Sequence, residues 1–281
     1  MASRESADGG FPGLSIVPTQ QLLLHEEVDM ERVARLLDRL SADGILKNPP
    51  IVASLSESDR FMLLDGANRV SAMENLEIPH LLVQVEKLDD PRLEVRHWNH
   101  VVRDIETEKL LDQVADVEGV TVREGRPEDA VDETPGYLAS ILTSETKAIH
   151  LWGAPRLQEN TGALKALTEI YSRGDARMER VNHADVATIR HHHPHFGAVV
   201  SFANFTKQDV LAVAETDERL PSGITRFLVP RRVLGFNLRL PLLKSNLPLE
   251  EKNRWLQDEI HHKVTEHKVR YYQEPTFVFD D

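Results

Sequence analysis

The stretch that decides the predicted fold is FMLLDGANRVSAM, residues 61–73. Its first four residues are apolar and indicate a buried strand, which ends at Asp65 and Gly66, where the chain must turn. The spacing of Val70 and Met73 predicts a helix immediately after the turn. The first turn of a helix has N–H groups without intrahelical partners, and its dipole favours negative charge. We therefore predict a strand–turn–helix junction that can bind an anion such as phosphate.

Three residues of this junction suit a phosphate site. Gly66 lets the backbone approach a phosphate closely, and Arg69 offers a planar set of donors that matches phosphate oxygens. Asp65 is placed to hold a divalent cation or a hydroxyl group. An ordinary junction with a surface arginine would have the same sequence, so the motif alone leaves both interpretations open.

The composition is that of an ordinary soluble globular protein, with 281 residues, 41% hydrophobic and 28% charged. No apolar run approaches the roughly 18 residues that a membrane helix needs. The chain has no cysteine, which excludes disulfides, thiolate metal sites and a cysteine nucleophile, and which fits a cytoplasmic protein. A formal charge of −13 repels nucleic acid. We expect neither a membrane nor a nucleic acid as a partner.

The periodicity divides the chain into three parts. Residues 1–12 are polar and lack the apolar core of a signal peptide, so we predict a disordered lead-in. Residues 13–100 alternate strand and helix patterns, with Asp29 as a good N-cap and Gly44 as a good stop for the first helix. These patterns predict a compact unit with a small mixed sheet.

Residues 101–281 are predicted to form an α/β extension, so the whole chain is predicted to be α+β. Within this extension, residues 123–136 are acidic and resemble a loop. A helix is predicted over about 248–267 and a last strand over 276–279.

Further motifs accompany the phosphate junction. In chain order, the motifs are His25-Glu26, Asn48-Pro49-Pro50, Asp65-Gly66-x-x-Arg69, His97-Trp98-Asn99-His100 and PSGITRF at 221–227. Together they resemble the free L-serine kinases of the ParB/sulfiredoxin-like fold, in particular the type encoded with siderophore synthesis, which form O-phospho-L-serine. The resemblance covers residues 13–100 and 216–281.

The resemblance implies a phosphoryl transfer from a nucleotide to the hydroxyl of serine. Residues 13–100 would bind the nucleotide and residues 101–281 would complete the substrate site. The donor is ATP or ADP, with ATP favoured by the siderophore-type relatives, and Mg²⁺ is the implied cofactor. Glu26 would accept the hydroxyl proton, and Asp65 would orient Mg²⁺ or the nucleophile.

The resemblance also implies the binding residues. For the nucleotide phosphates they are Asp65, Gly66, Ala67, Asn68 and Arg69, and for serine they are His25, Trp98, Thr225 and Arg226. Thr225 and Arg226 suit the substrate carboxylate, and Trp98 would wall the pocket. From the residues alone, Glu26 also fits a position favoured by a helix dipole, and Trp98 also fits a packed core.

One position departs from the family pattern. Asn68 stands where these kinases carry histidine, and an amide can donate a hydrogen bond to phosphate but cannot carry charge or transfer a proton. Sulfiredoxin chemistry is excluded because it needs a cysteine in the same loop.

Two other functions remain open from the sequence. A partition-type regulator would bind a nucleotide and DNA, but no basic recognition helix is evident. A catalytically silent nucleotide sensor would fit Asn68. The run from Arg190 to His195 resembles a metal site, yet adjacent histidines point in different directions, so we predict a surface loop. The sequence does not indicate the oligomeric state.

Overall fold

The computed structural model describes residues 11–56, 58–129, 134–172, 176–182 and 185–272. The strands of the described residues are β1 Gly13–Pro18, β2 Leu22–Leu23, β3 Ile45–Leu46, β4 Ile51–Ser54, β5 Phe61–Asp65, β6 His80–Lys87, β7 Glu94–His97, β8 Asn99–Arg103, β9 Thr121–Gly125, β10 Tyr137–Thr143, β11 Ala148–Trp152, β12 Arg177–Val181, β13 Phe196–Phe202, β14 Thr225–Leu228 and β15 Leu238–Arg239. The helices are α1 Met30–Asp43, α2 Ala67–Asn75, α3 Thr107–Ala115, α4 Thr161–Ser172, α5 Val186–His192, α6 Lys207–Ala214, α7 Leu240–Lys244 and α8 Leu249–Thr265. The predicted α+β class is confirmed.

The first sheet is mixed and has the strand order β1-β6-β4-β5-β2. Across this order, successive strand pairs are antiparallel, parallel, antiparallel and parallel. The predicted caps of α1 are present: the Asp29 carboxylate accepts a hydrogen bond from the Arg32 N–H at 3.0 Å, and Gly44 ends the helix at φ 63°. The first helix and the strand, turn and helix of the 61–73 stretch therefore form where the patterns predict them.

Strand β5 is buried on both faces, which explains its continuous apolar run. Leu63 packs into the cluster formed with α1, α2, α7 and α8, whereas Met62 and Leu64 pack into a second cluster on the other face. That second cluster includes Phe227 of β14 and Val210 of α6. The first sheet is therefore covered on both sides, and β14 is fixed close to the end of β5.

The second sheet is antiparallel and has the order β12-β8-β13-β10-β11-β9. Helices α3 and α4 pack on its buried face. The prediction of a loop over 123–136 is wrong for its first residues, because β9 pairs with β11 as far as Gly125. This edge strand is mostly exposed and carries polar side chains, so it lacks an apolar signal.

The C-terminal part of the chain returns to the first sheet. Phe236, Leu243 and Leu256 belong to the cluster that covers one face of this sheet. Strand β8, at the end of the predicted 13–100 unit, belongs instead to the second sheet.

The domain division stays a prediction, and residues 1–10 and the strand predicted over 276–279 lie outside the described residues. Among the described helices, none has the length and apolarity needed to cross a membrane.

Asn253 of α8 completes the hydrogen bonding of the edge strand β1. Its Oδ1 atom accepts from the Ile16 N–H at 2.8 Å, and its Nδ2 group donates to the Ile16 carbonyl at 2.8 Å. We expect Asn253→Ala to lower the free energy of unfolding by about 1–3 kcal/mol, because two backbone groups of a buried residue lose their partner. Asn253→Asp keeps only the acceptor and should give an intermediate loss in urea denaturation. Equal stability of all three proteins would contradict this role.

Candidate active site

A cleft of about 660 Å³ lies between α1, the start of α2 and the turn at residues 222–225. Most of the predicted site residues line it: His25, Glu26, Asp65, Gly66, Ala67, Asn68, Arg69, Trp98 and Thr225. These residues come from separate parts of the chain, so the fold brings the predicted phosphate junction and the predicted substrate residues to one place. Arg226 does not line the cleft.

The Glu26 carboxylate binds the turn at residues 222–225 directly. Its Oε1 atom accepts hydrogen bonds from the Thr225 N–H and the Thr225 hydroxyl, both at 2.6 Å, and its Oε2 atom accepts from the Gly223 N–H at 2.8 Å. A carboxylate has about four lone-pair sites. Three are used by the turn, and one site on Oε2 is left for a further donor.

The Thr225 hydroxyl links Glu26 to His25. It lies 2.6 Å from Glu26 Oε1 and 2.8 Å from His25 Nε2. The carboxylate can only accept, so the hydroxyl donates to Glu26 and accepts from the His25 Nε2–H. Burial lowers the pKa of His25, more than the neighbouring Glu26 raises it, and a neutral ring fits this arrangement.

Two residues of the second sheet hold the other side of the turn. The Arg180 guanidinium donates to the Ser222 carbonyl at 2.9 Å, and His100 Nε2 donates to the Gly223 carbonyl at 2.9 Å. The Tyr171 hydroxyl donates to the other ring nitrogen of His100 at 2.8 Å. Gly223 has φ 83°, and a Cβ there would overlap the Arg180 guanidinium, so only glycine fits.

The phosphate junction has the predicted backbone shape. Gly66 is the N-cap of α2 at φ 103° and adds no side chain to the helix N-terminus. Arg69 is held by the carbonyls of Asn48 and Pro49 at 2.8 and 3.3 Å, and it lies 3.5 Å from Asp65. Arg69 therefore fixes the loop before β4 against this junction as well as facing the cleft.

Asp65 is paired with two arginines rather than one. Its Oδ2 atom contacts Arg69 and also Arg232, a residue outside the predicted site. Burial alone would raise the pKa of Asp65, but the two guanidinium groups lower it below its ordinary value. Asp65 is therefore a carboxylate at neutral pH.

Asn68 has a defined structural contact. Its Oδ1 atom accepts the Asp29 N–H at 2.9 Å, which joins the start of α2 to the start of α1. The side-chain amide is thereby oriented, and its Nδ2 donors have no partner among the described residues. This orientation is compatible with a hydrogen bond from Nδ2 to an anion in the cleft.

Trp98 and Arg226 form a stacked pair at the rim. Trp98 lines the cleft, and the Arg226 guanidinium lies 4.6 Å from the centre of its ring. Thr225 and Arg226 are successive residues of β14, so their side chains project from opposite faces of the strand. The assignment of Arg226 to the substrate carboxylate stays a prediction.

The cleft contains more positive charge than the sequence analysis indicated. In the described part of the chain, its lining has three carboxylates, Glu26, Glu27 and Asp65, against five arginines: Arg32, Arg35, Arg39, Arg69 and Arg180. Three of these arginines come from one helix, α1, at spacings of three and four residues. This spacing places the three side chains on one face of the helix.

The predicted loop at the histidine run is partly wrong. His191 and His192 form the end of α5, where basic residues are favoured by the helix dipole, and His193 lies 3.2 Å from Glu179. Among the described residues, no group of three histidine or acidic side chains is placed to hold a metal ion.

Two curated proteins are similar to this chain over most of its length. No protein-family model matches the chain. The ATP-dependent L-serine kinase SbnI of Staphylococcus aureus is 22% identical over 244 residues, which cover 87% of this chain and 89% of that protein. An ATP-dependent L-serine kinase of Staphylothermus marinus is 21% identical over 218 residues, covering 76% of this chain and 85% of that protein. The predicted resemblance to the free serine kinases is confirmed.

Solved structures show that the fold is shared as well. C-terminally truncated SbnI from Staphylococcus aureus superposes with a TM-score of 0.69, over 89% of this chain and 97% of that chain, at 19% identity. A free serine kinase in complex with AMP superposes with a TM-score of 0.71, over 86% and 98%, at 15% identity. The fold of these serine kinases therefore extends over both sheets of this protein.

His100 makes stability depend on pH. Burial lowers its pKa from 6.5 to about 4, so the unfolded chain binds a proton at His100 between these values while the folded chain does not. The protonation of His100 therefore does not affect the free energy of unfolding above pH 6.5. As the pH falls from there towards 4, the free energy of unfolding should decrease by up to about 3 kcal/mol. We expect His100→Gln to flatten this part of the curve in urea denaturation at successive pH values. His25 remains in both proteins, so the comparison isolates His100, and parallel curves would contradict the prediction.

Proposed function

We propose that the protein transfers the γ-phosphate of ATP to the hydroxyl of free L-serine, giving O-phospho-L-serine for a biosynthetic pathway such as siderophore or natural-product synthesis. The observation that carries this proposal is the position of Glu26 in the same cleft as the α2 N-terminus, in a chain similar to ATP-dependent L-serine kinases over most of its length. We further propose that the first sheet and its helices represent the ParB/sulfiredoxin-like fold. A cytoplasmic location stays a prediction from the composition.

Glu26 is suited to orient the serine hydroxyl and to accept its proton. The turn at residues 222–225 occupies three lone-pair sites of the carboxylate, so the remaining site has a fixed direction. Phosphoryl transfer depends mainly on positioning and on neutralising charge, because the transition state is loose. A carboxylate held by three donors positions the nucleophile without having to be a strong base.

The phosphate groups of ATP fit the opposite wall of the cleft. Gly66 exposes the first N–H groups of α2, and Asn68 Nδ2 lies in the same first turn. The arginines of α1 face this cleft and supply positive charge to a triphosphate. In a chain with a net charge of −13, this local excess of arginine is the feature that favours an anionic ligand.

Asp65 is the residue that fits Mg²⁺. The contacts of Asp65 with Arg69 and Arg232 both involve Oδ2, so Oδ1 would be the atom that meets the cation. Magnesium needs only one or two protein carboxylates and takes its other ligands from phosphate and water. When bound with ATP, it would neutralise phosphate charge.

A small set of measurements distinguishes the kinase function from the nucleotide sensor and the DNA-binding regulator. Purified protein is incubated with Mg²⁺, L-serine and either ATP or ADP, and the products are identified by mass spectrometry. Phosphoserine from ATP supports the proposal, and phosphoserine from ADP alone would change the donor. Nucleotide binding without phosphoserine would favour a silent sensor, and a shifted DNA fragment at physiological salt would favour a regulator.

We expect Glu26→Gln to reduce kcat by about 10²–10⁴, because a positioned proton acceptor contributes this much. The glutamine amide also faces an N–H donor of the turn in either orientation, so thermal stability should decrease too. Glu27→Gln is the matched control: Glu27 lines the same cleft but pairs with Lys165 at 2.5 Å. A Glu26→Gln protein that is folded and keeps activity within about threefold of Glu27→Gln would show that Glu26 only anchors the turn.

We expect Arg39→Ala to raise KM for ATP by about 10-fold or more with a smaller effect on KM for serine, because a charged donor is lost from the phosphate side of the cleft. Arg254→Ala removes the same charge from an exposed position on α8 and should leave both constants unchanged. Equal effects of the two substitutions would show that only net charge matters.

A further inference from the structure

Arg180 lines the cleft and supports the turn at residues 222–225. We propose that its guanidinium binds the carboxylate of the amino-acid substrate and so makes the protein selective for a free amino acid. This inference rests on the proposed serine kinase function and names the residue that recognises the substrate's acid group.

Arg180 is a half-buried cation without a carboxylate partner. It lines the cleft, but within the described residues it forms no ion pair within 4 Å, and its Nε atom is buried without a hydrogen-bond partner. Its one polar contact given by the structure is the donation to the Ser222 carbonyl. Burial of such a group costs free energy unless it is paired, and an incoming carboxylate would provide the pair.

Arg180 and Glu26 both contact Gly223 of the turn. Glu26 binds the N–H of Gly223, and the Arg180 guanidinium packs against the Cα of the same residue. Both groups therefore contact one residue that has no side chain to separate them. The hydroxyl oxygen and the carboxyl carbon of serine are separated by three bonds, so a single small molecule can contact both groups.

The other arginines near this point are less suited to the carboxylate. Arg226 is stacked on Trp98 and lies outside the lining of the cleft. Arg32 already pairs with Asp29 at 3.3 Å. Arg69 is held by two backbone carbonyls and by Asp65 on the phosphate side. Arg180 is the cleft arginine that contacts the same turn as the proposed base.

The test compares L-serine with L-serinamide, which keeps the hydroxyl and the amine but lacks the carboxylate. Phosphorylation of both compounds is measured for the wild-type protein, for Arg180→Gln and for the matched control Arg226→Gln. We expect the wild-type protein to prefer serine in kcat/KM by about 10- to 100-fold, the range of a charge-assisted hydrogen bond. Arg180→Gln should reduce this preference to about threefold or less through a higher KM for serine, while KM for ATP changes little.

A merely structural role of Arg180 predicts a different result. Loss of the bond to Ser222 would lower the rates for both compounds equally and leave the preference unchanged, and that outcome would overturn the proposal. A preference lost in Arg226→Gln but kept in Arg180→Gln would also overturn it. If Arg180→Gln does not fold, Arg180→Lys gives the same comparison, with a reduced but measurable preference expected because the charge is kept without the planar fork.

The wild-type measurement separates this inference from the function on which it rests. If the wild-type protein phosphorylates neither compound, the kinase function fails. If it phosphorylates both compounds equally, the kinase function stands and the carboxylate-binding role fails.

Discussion

The hydrogen bonds between the Glu26 carboxylate and the turn at residues 222–225 are the interaction on which the site depends. Glu26 follows the first short strands, whereas the turn precedes β14, so three bonds join parts of the chain that are 197 to 199 residues apart. Two backbone bonds between residues 25–27 and Leu220 reinforce this connection. Glu26 is partly buried, and such donors stabilise a partly buried carboxylate because a desolvated charge without partners would be costly. The requirement to pair Glu26 therefore also closes the cleft.

The turn at residues 222–225 is also hydrogen-bonded to the second sheet, so this sheet helps to position the cleft. His100 on β8 and Arg180 on β12 hold the carbonyls of Gly223 and Ser222. The antiparallel second sheet thus fixes carbonyl groups of the turn, whereas Glu26 binds its N–H groups. This arrangement gives a structural reason for the second sheet in a protein whose phosphate junction lies entirely on the first.

The charge of the cleft lining is opposite in sign to the net charge of the whole chain. The chain as a whole is acidic, yet arginine exceeds acid in the cleft lining. Three of these arginines make local contacts: Arg32 with Asp29, Arg35 with Glu31, and Arg69 with Asp65 and two carbonyls, of which the half-buried Arg69 has the most. Side chains that are already ordered lose less conformational entropy when they bind an anion. Asn68 lines the same cleft, and its amide is oriented by the hydrogen bond from the Asp29 N–H.

The sequence by itself determined the local structure around the phosphate junction, and the tertiary structure decided which distant residues complete the site. The strand and helix at 61–75 and the caps of α1 were readable because periodicity and caps are encoded within short windows. His25, Glu26 and Thr225 were named only through the resemblance to the serine kinases, and their hydrogen bonds to one another come from the tertiary structure. The positions of Arg180 and Arg232 and the outward direction of Arg226 were not readable. They depend on how β12, β14 and the segment before β15 pack against elements far away in the chain, and no short window of sequence contains that geometry.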